Sequence, residues 1–514
     1  MKQFKTHVQE NILIYLIMLL AVITRLVYLG KLPDGLHLDE AYAGYISWGL
    51  MTEGLDSRGY PYPVYFIAWG EGMNALYSYL AIPFLKLLGV TVFAYRLTQA
   101  LICVFCIYIM YDLGKMLFNQ KIGYFLAFVL AINPWHIMNT RFIIESNLAP
   151  GMFLLAMWLL VYAEKTQKLK YFIFSAIFFG LTLYCYAITW LIVPLFLVLC
   201  LLLFYKRIKD KKFIFVFGII LFLLALPLLI FIAINYGWIP EIKTSFFSIP
   251  KMLGYRVDEL NPIHIWKNKT DILNIILKQY SFQPFAASEL VGAYYLFTTP
   301  LFLVGIGIHI FHLFKHYQKG ENQLQYIFLL WLISAFLVCS MNATITTIHF
   351  NMVHIPITFY SAYGTWQISK LLKSKTFLYS CLIFWLISFG IFAEDYIKNG
   401  SSAYFYNDTA GEVLDVAKEM AQGEDITIFG KGTIVYNVML WNELPLASDF
   451  AANVVYANEC SISTYGQFKY MEYFEFNADM EAGIYIIPYE YQEEFSDIGF
   501  EITNVNERYS IAKK

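Results

Sequence analysis

An adjacent carboxylate pair, Asp39 and Glu40, closes the turn that follows the first long apolar stretch, in LPDGLHLDEAYAGYISWGL (32–50). Ionised carboxylates are costly near hydrocarbon unless solvated or paired, which makes this pair a functional-site candidate. A carboxylate within reach of a hydroxyl can take its proton as general base. The same residues suit a second, bland role as caps of a helix over AYAGYISWGL, because acidic groups favour a helix N-terminus. Position and residue type leave both readings open. His37, two positions before Asp39, is a supporting candidate.

Arginine is the cation whose planar fork of donors matches phosphate. Arg96, in FAYRLTQAL (93–101), and Arg141, in NPWHIMNTRFIIESNLAPGMFLLA (133–156), each lie near the end of an apolar stretch. Snorkelling to the interface is the competing role for both. Arg58 and Arg256 sit in polar loops, where surface solvation competes. Glu145, four residues after Arg141, is spaced to pair with it within one helix and so to hold the arginine in place. His136, His349 and His354 fall at the ends of apolar stretches, suited to lining a cavity or bonding phosphate, with a satisfied interfacial histidine as the alternative. HFNMVH (349–354) does not have the i, i+4 spacing that puts two histidines on one helix face.

The elements that must position these residues are membrane helices. Of 514 residues, 59% are apolar and only 14% charged, more hydrophobic surface than a water-soluble core can hide. Apolar stretches near spanning length occur at about 12–29, 92–113, 121–138, 148–163, 171–187, 190–205, 213–234, 291–313, 324–341, 350–369 and 376–393, which predicts eleven spans. Lys and Arg gather in alternate connections, at Lys2 and Lys5, Lys115 and Lys121, Lys165 to Lys170, Lys206 to Lys212, Lys315 and Lys319, and Lys370 to Lys375, whereas the opposite short loops hold only Arg141. The positive-inside rule then predicts a cytoplasmic amino terminus and an external C-terminal region. The outer loops at about 30–91 and 235–290 and the tail from about 394 carry the extramembrane bulk, with NALYSYLAIPFLKLLG (74–89) expected as a helix in the interface.

The predicted fold is mainly α: a polytopic bundle over 1–393, followed by a small exported α/β domain over 394–514. In that domain GEVLDVAKEMAQ (411–422) has helical periodicity, and ITIFG (426–430), TIVYNVML (433–440) and GIYIIPY (483–489) are expected strands. A net charge of −2 gives no basic excess for nucleic acid. Six of the seven cysteines lie in apolar runs, so no disulfide framework is expected. The rich Lys, Ile, Asn and Tyr usage points to a bacterial cell membrane.

The order of a first helix, HLDE (37–40), a long outer loop, FAYRLTQAL and NPWHIMNTRFIIESNLAPGMFLLA resembles the GT-C class of membrane glycosyltransferases, nearest the protein O-mannosyltransferases and the enzymes that add aminoarabinose to lipid A. The resemblance is carried by residues 10–160. It implies transfer of a sugar from a polyprenyl-phosphate carrier to an extracytoplasmic acceptor with inversion at the anomeric carbon. Asp39 would be the base, Glu40 a supporting group, and Arg96 and Arg141 donor-phosphate contacts. The aminoarabinose branch binds zinc through a Glu late in the first loop and a His in the second large loop. Glu71 in GEGMNALYSYL (70–80) and His264 in NPIHIWKNK (261–269) occupy comparable regions. A divalent metal is therefore compatible with the sequence without being required by it. The competing functions are a lipid or sugar transporter, for which no internal repeat is found, and a non-catalytic membrane scaffold whose exported domain binds glycan.

Overall fold

The computed structural model describes residues 2–254, 259–279, 286–316, 323–399, 409–430, 434–472 and 479–514. Arg256 lies outside the described residues. The helices are α1 (Lys2–Leu26), α2 (Leu38–Thr52), α3 (Leu76–Leu88), α4 (Val92–Leu117), α5 (Gln120–Ala131), α6 (Pro134–Arg141), α7 (Glu145–Thr166), α8 (Leu169–Thr182), α9 (Thr189–Phe204), α10 (Lys212–Asn235), α11 (Ile263–Lys267), α12 (Lys269–Leu273), α13 (Thr299–His316), α14 (Ile327–Cys339), α15 (Asn351–Leu371), α16 (Lys375–Asn399), α17 (Ala410–Ala421), α18 (Tyr436–Glu443), α19 (Ala447–Asn453) and α20 (Gln492–Asp497). The chain forms two compact units: Met1–Leu32 with Arg96–Leu229 and Arg256–Ser402, and Pro33–Tyr95 with Ile230–Tyr255 and Ala403–Lys514.

Among the described residues six helices are long and apolar enough to cross a membrane, and the bent pair Gln120–Ala131 and Pro134–Arg141 would make a seventh. Several of the eleven apolar stretches form shorter helices, such as Leu169–Thr182 and Gln323–Cys339. The stretch expected as one span over 121–138 is broken by a 56° bend. The cause is local. Asn133 is extended at φ −70°, ψ 126° and caps α6 by accepting from His136 N–H, with Pro134 at the first helical position. Proline disfavours α geometry in the residue before it and suits a helix start, so Asn-Pro ends one helix and begins another. Helix α3, with Pro83 inside it, has 13 residues, a rise of about 20 Å against the roughly 30 Å hydrocarbon core.

The second unit carries two short antiparallel pairs, β1 (Tyr65–Phe66) with β2 (Met73–Asn74) and β3 (Ile242–Lys243) with β4 (Ser248–Ile249), and a sheet formed by the next seven strands in sequence, β5 to β11. Its central strand β5 (Ile426–Phe429) runs parallel to β8 (Phe468–Met471) and β9 (Ile484–Pro488). Strands β10 (Glu501–Asn504) and β11 (Tyr509–Lys513) continue it antiparallel on one side, and β7 (Ile462–Tyr465) and β6 (Val455–Tyr456) on the other. Phe429, Tyr485, Phe495 and Phe500 fill one face. Helix α17 buries Val413, Leu414, Ala417 and Ala421, an i, i+1, i+4, i+8 stripe. The strands expected at 426–430 and 483–489 and the helix at 411–422 are present; the strand expected at 433–440 is helix α18 from Tyr436 onward. Tyr436 to Leu440 are five successive buried residues, and an apolar run buried on every side shows no alternation by which a strand could be told from a helix.

Helix α18 packs on α2 within this unit. Tyr42 meets Tyr436 edge-on at 6.1 Å and Tyr45 meets Phe450 at 6.1 Å, and Tyr45 Oη donates to Pro445 O at 3.0 Å. The approach depends on Gly44, where a Cβ would stand 2.6 Å from the Trp441 ring. Gly44→Val is expected to cost about 1–3 kcal/mol through overpacking, read as a lower thermal midpoint and earlier proteolysis of the tail. An unchanged midpoint would show that the indole moves aside at no cost.

Candidate functional site

Three polar side chains, His37, Asp39 and Glu40, stand at the start of α2. His37 is the N-cap: its Nδ1 accepts from Asp39 N–H at 3.3 Å, and Glu40 Oε2 accepts from His37 N–H at 3.1 Å. This reciprocal capping box satisfies helix-start donors and gives the fully buried Glu40 a backbone partner. The Asp39 side chain has no part in it. Its Oδ1 accepts from Trp69 Nε1–H at 3.0 Å, and Oδ2 stands 3.6 Å from His37 Nδ1. The Asp39 side chain is 37% exposed.

Trp69, which sequence reading passed over, has φ +55°, a left-handed conformation uncommon for a bulky residue. Arg58 stacks its guanidinium 3.8 Å above the Tyr456 ring and donates to Glu459 O at 3.4 Å, an assignment to the tail rather than to open solvent. Glu71 follows in the turn closed by its N–H to Ala68 O at 2.9 Å.

Asp56, fully buried, accepts from the Arg58 and Tyr60 N–H groups at 2.9 and 2.8 Å. Burial pushes its carboxyl up to about 6, opposed by those two bonds and by the charges of Arg58 and Lys243. The folded state therefore holds this proton over a window, from the ordinary value near 4 up to about 6, in which the unfolded chain has lost it. Its contribution to stability is fully present below pH 4 and falls by up to about 3 kcal/mol as pH rises to 6. Asp56→Asn, which keeps an acceptor oxygen, is expected to raise the thermal midpoint at pH 7.5 and to leave it nearly unchanged at pH 4; an increment equal at both pH values refutes the assignment.

In the first unit three arginines gather around the end of α1. Arg141, 3% exposed, donates from Nε to Leu32 O at 2.9 Å, from Nη1 to Thr24 O at 3.1 Å and from Nη2 to Val27 O at 2.7 Å. Arg96, fully buried, reaches Leu29 O at 3.4 Å from Nη1. Arg25 completes the group. It is fully buried and donates to Ala131 O at 2.5 Å, Leu130 O at 3.0 Å and His136 Nδ1 at 2.8 Å. The last carbonyls of a helix have no partner within it, so Arg141 closes the end of α1 and Arg25, from α1, closes the end of α5. The sequence signal for Arg25 was available: an ionisable residue inside an apolar stretch is a functional candidate by default.

The remaining candidates divide. Glu145 begins α7 while Arg141 ends α6, with Phe142 and Ile144 extended between them, so the expected intrahelical pair is replaced by residues on two different helices. His354 is buried, its ring 4.8 Å from Trp135, with Nε2 at 3.1 Å from Thr347 O. Trp135 Nε1–H donates to Asn351 Oδ1 at 3.1 Å, and Asn351 in turn reaches Ser146 and Asn147 at 3.0 and 2.9 Å. His136 and His354 thus flank one buried polar network. His349 lies outside α15, its Nδ1 at 3.5 Å from Thr344 Oγ1. His264, on α11, places Nδ1 3.1 Å from Met341 O. Among the described residues no three His, Cys, Asp or Glu side chains form a metal-holding group.

The family model of dolichyl-phosphate-mannose-protein mannosyltransferases matches residues 75–231. No curated protein matches the chain. Solved structures do. ArnT from Cupriavidus metallidurans in the apo state superimposes with a TM-score of 0.60 at 11% identity, over 97% of this chain and 97% of that one. The same enzyme bound to undecaprenyl phosphate gives 0.57 at 11% identity over 98% of each chain. The Archaeoglobus fulgidus oligosaccharyltransferase in complex with Zn and sulfate gives 0.54 at 13% identity, over 85% of this chain and 61% of that one. The chain has the GT-C glycosyltransferase fold. Within this GT-C chain the mannosyltransferase match takes in Arg96, His136, Arg141 and Glu145, and begins after Asp39 and Glu40.

Proposed function

We propose that the protein is an inverting glycosyltransferase that moves a sugar from a polyprenyl-phosphate carrier to an extracytoplasmic acceptor, with Asp39 as general base. The observation that carries this reading is the division of labour at α2: His37 and Glu40 make the cap, and the half-exposed Asp39 carboxylate is left to the reaction. The acceptor hydroxyl gives its proton to Asp39 as its oxygen bonds the anomeric carbon, and the bond from that carbon to the phosphate oxygen breaks, the electron pair leaving with polyprenyl phosphate. One carboxylate suffices, as inversion requires no enzyme nucleophile. Arg96 and Arg141 are proposed as the donor-phosphate group, Arg141 chiefly by holding the turn that Arg96 also bonds, with Arg25 a third positive charge in the same unit. The bound undecaprenyl phosphate of the ArnT structure supports a lipid-phosphate donor. The alternation of lysines and arginines supports a multi-pass cell-membrane protein with its amino terminus in the cytoplasm and 394–514 exported. Purified protein incubated with polyprenyl-phosphate sugars should release polyprenyl phosphate; no release from any carrier would favour a non-catalytic scaffold.

A further inference from the structure

Asp39 is held by a residue that is itself held by the far end of the chain. Trp69 Nε1–H bonds Asp39 Oδ1 at 3.0 Å. Its backbone stands at φ +55°, and Gly70 follows at φ +78°. Gly70 adopts this geometry without cost, but a tryptophan in it persists only where surrounding contacts over-determine it. Those contacts come from the tail. Cys460 Sγ donates to Trp69 O at 2.9 Å, the Tyr436 ring meets the Trp69 indole edge-on at 6.0 Å, and a Cβ on Gly70 would stand 2.7 Å from Glu459 Cβ. Tyr436 is fixed in turn against Tyr42 of α2 at 6.1 Å and Phe450 of α19 at 6.4 Å. Tyr42 Oη donates to Ile67 O at 2.8 Å, two residues before Trp69. The loop 67–70 is thus gripped from both sides, and its indole N–H is aimed at one oxygen of a carboxylate.

We propose that Trp69 is the positioning residue of the Asp39 base and that the tail segment 436–460 is the clamp that keeps it in place. This rests on Asp39 acting as base. A carboxylate on a short side chain rotates about χ2; a hydrogen bond to Oδ1 fixes that rotation and leaves Oδ2 for the acceptor proton. Catalysis is sensitive to placement at this scale, because a misaligned base forfeits near-attack geometry without loss of substrate binding. The tail thereby has a function in the first loop that its own sheet, which bears no recognisable catalytic motif, does not suggest.

The test compares Trp69→Phe, Trp69→His, Gly70→Ala and Asp39→Asn in purified full-length protein, with polyprenyl-phosphate sugar as donor. Trp69→Phe keeps a ring and loses the N–H; kcat is expected to fall about 10- to 100-fold, the worth of one hydrogen bond to a charged group, with the donor KM and the thermal midpoint little changed. Trp69→His, which restores an N–H, is expected to recover part of that loss. Gly70→Ala is expected to lower kcat as well, since its Cβ must push Glu459 and the clamp away. Wild-type kcat in Trp69→Phe overturns the proposal, as does an equal loss in the Phe and His variants, which would mark a packing role. If Asp39→Asn alone turns over like wild type, the failure lies in the base assignment beneath it.

Discussion

Asp39→Asn is expected to lower the release of polyprenyl phosphate by about 10²- to 10⁴-fold, the range contributed by a positioned general base. The substitution is unusually clean here. An asparagine Oδ1 can still accept from Trp69 Nε1–H, now at 3.0 Å from the aspartate, so the loop and the start of α2 keep their geometry while the carboxylate proposed to take the proton is lost. Glu40→Gln is the matched control, because a glutamine oxygen can accept from the His37 N–H now bonded at 3.1 Å, preserving the capping box. It is expected to cost less than about 1 kcal/mol of stability and less than about tenfold in turnover. Equal losses in the two variants would sink the division of labour, and full turnover in Asp39→Asn would sink the base.

What the sequence made legible was the solvent and the order of motifs. Length and apolarity of the runs mark a membrane protein, and HLDE ahead of the two arginine motifs gives the GT-C resemblance. Which of the two carboxylates makes the cap could not be read, because Asp39 and Glu40 differ through three-dimensional pairing with His37 and Trp69, the latter 30 positions from Asp39. The break at Ile132 and Asn133 was written locally, in Asn-Pro, and was hidden by averaging hydropathy over a span-length window. Helix α18 was misread for the opposite reason: its five buried residues carry no periodicity of their own, and packing against α2 decides their conformation. The pairing of tail with first loop, Tyr42 with Tyr436 and Arg58 with Tyr456, joins residues nearly 400 positions apart; aromatic contacts of that range leave no local signature.

Arg141 carries the other large expected effect, and it separates a structural from a phosphate-binding role. Three of its five N–H groups are committed to the carbonyls of Thr24, Val27 and Leu32, in a site where the side chain is 3% exposed. Arg141→Ala removes the donors and leaves three acceptors that water reaches poorly; at about 1–3 kcal/mol for each buried group left unmade, and less than additively, about 3–5 kcal/mol should be lost. A cation at the C-terminal end of α1 also opposes the helix dipole favourably. Arg141→Lys should rescue little, because an ammonium concentrates its donors at one point and cannot span three carbonyls set around a planar fork. The expected result is a large fall in the thermal midpoint for both variants in detergent. A phosphate contact alone predicts a different pattern, a raised donor KM with the midpoint unchanged, since only the bound donor would miss the charge. The geometry favours the first outcome: Arg141 and Arg96 both bond the segment between Thr24 and Leu32, so slackening that turn displaces the second arginine along with the first, and if the pair serves the proposed donor phosphate, turnover should fall together with the midpoint.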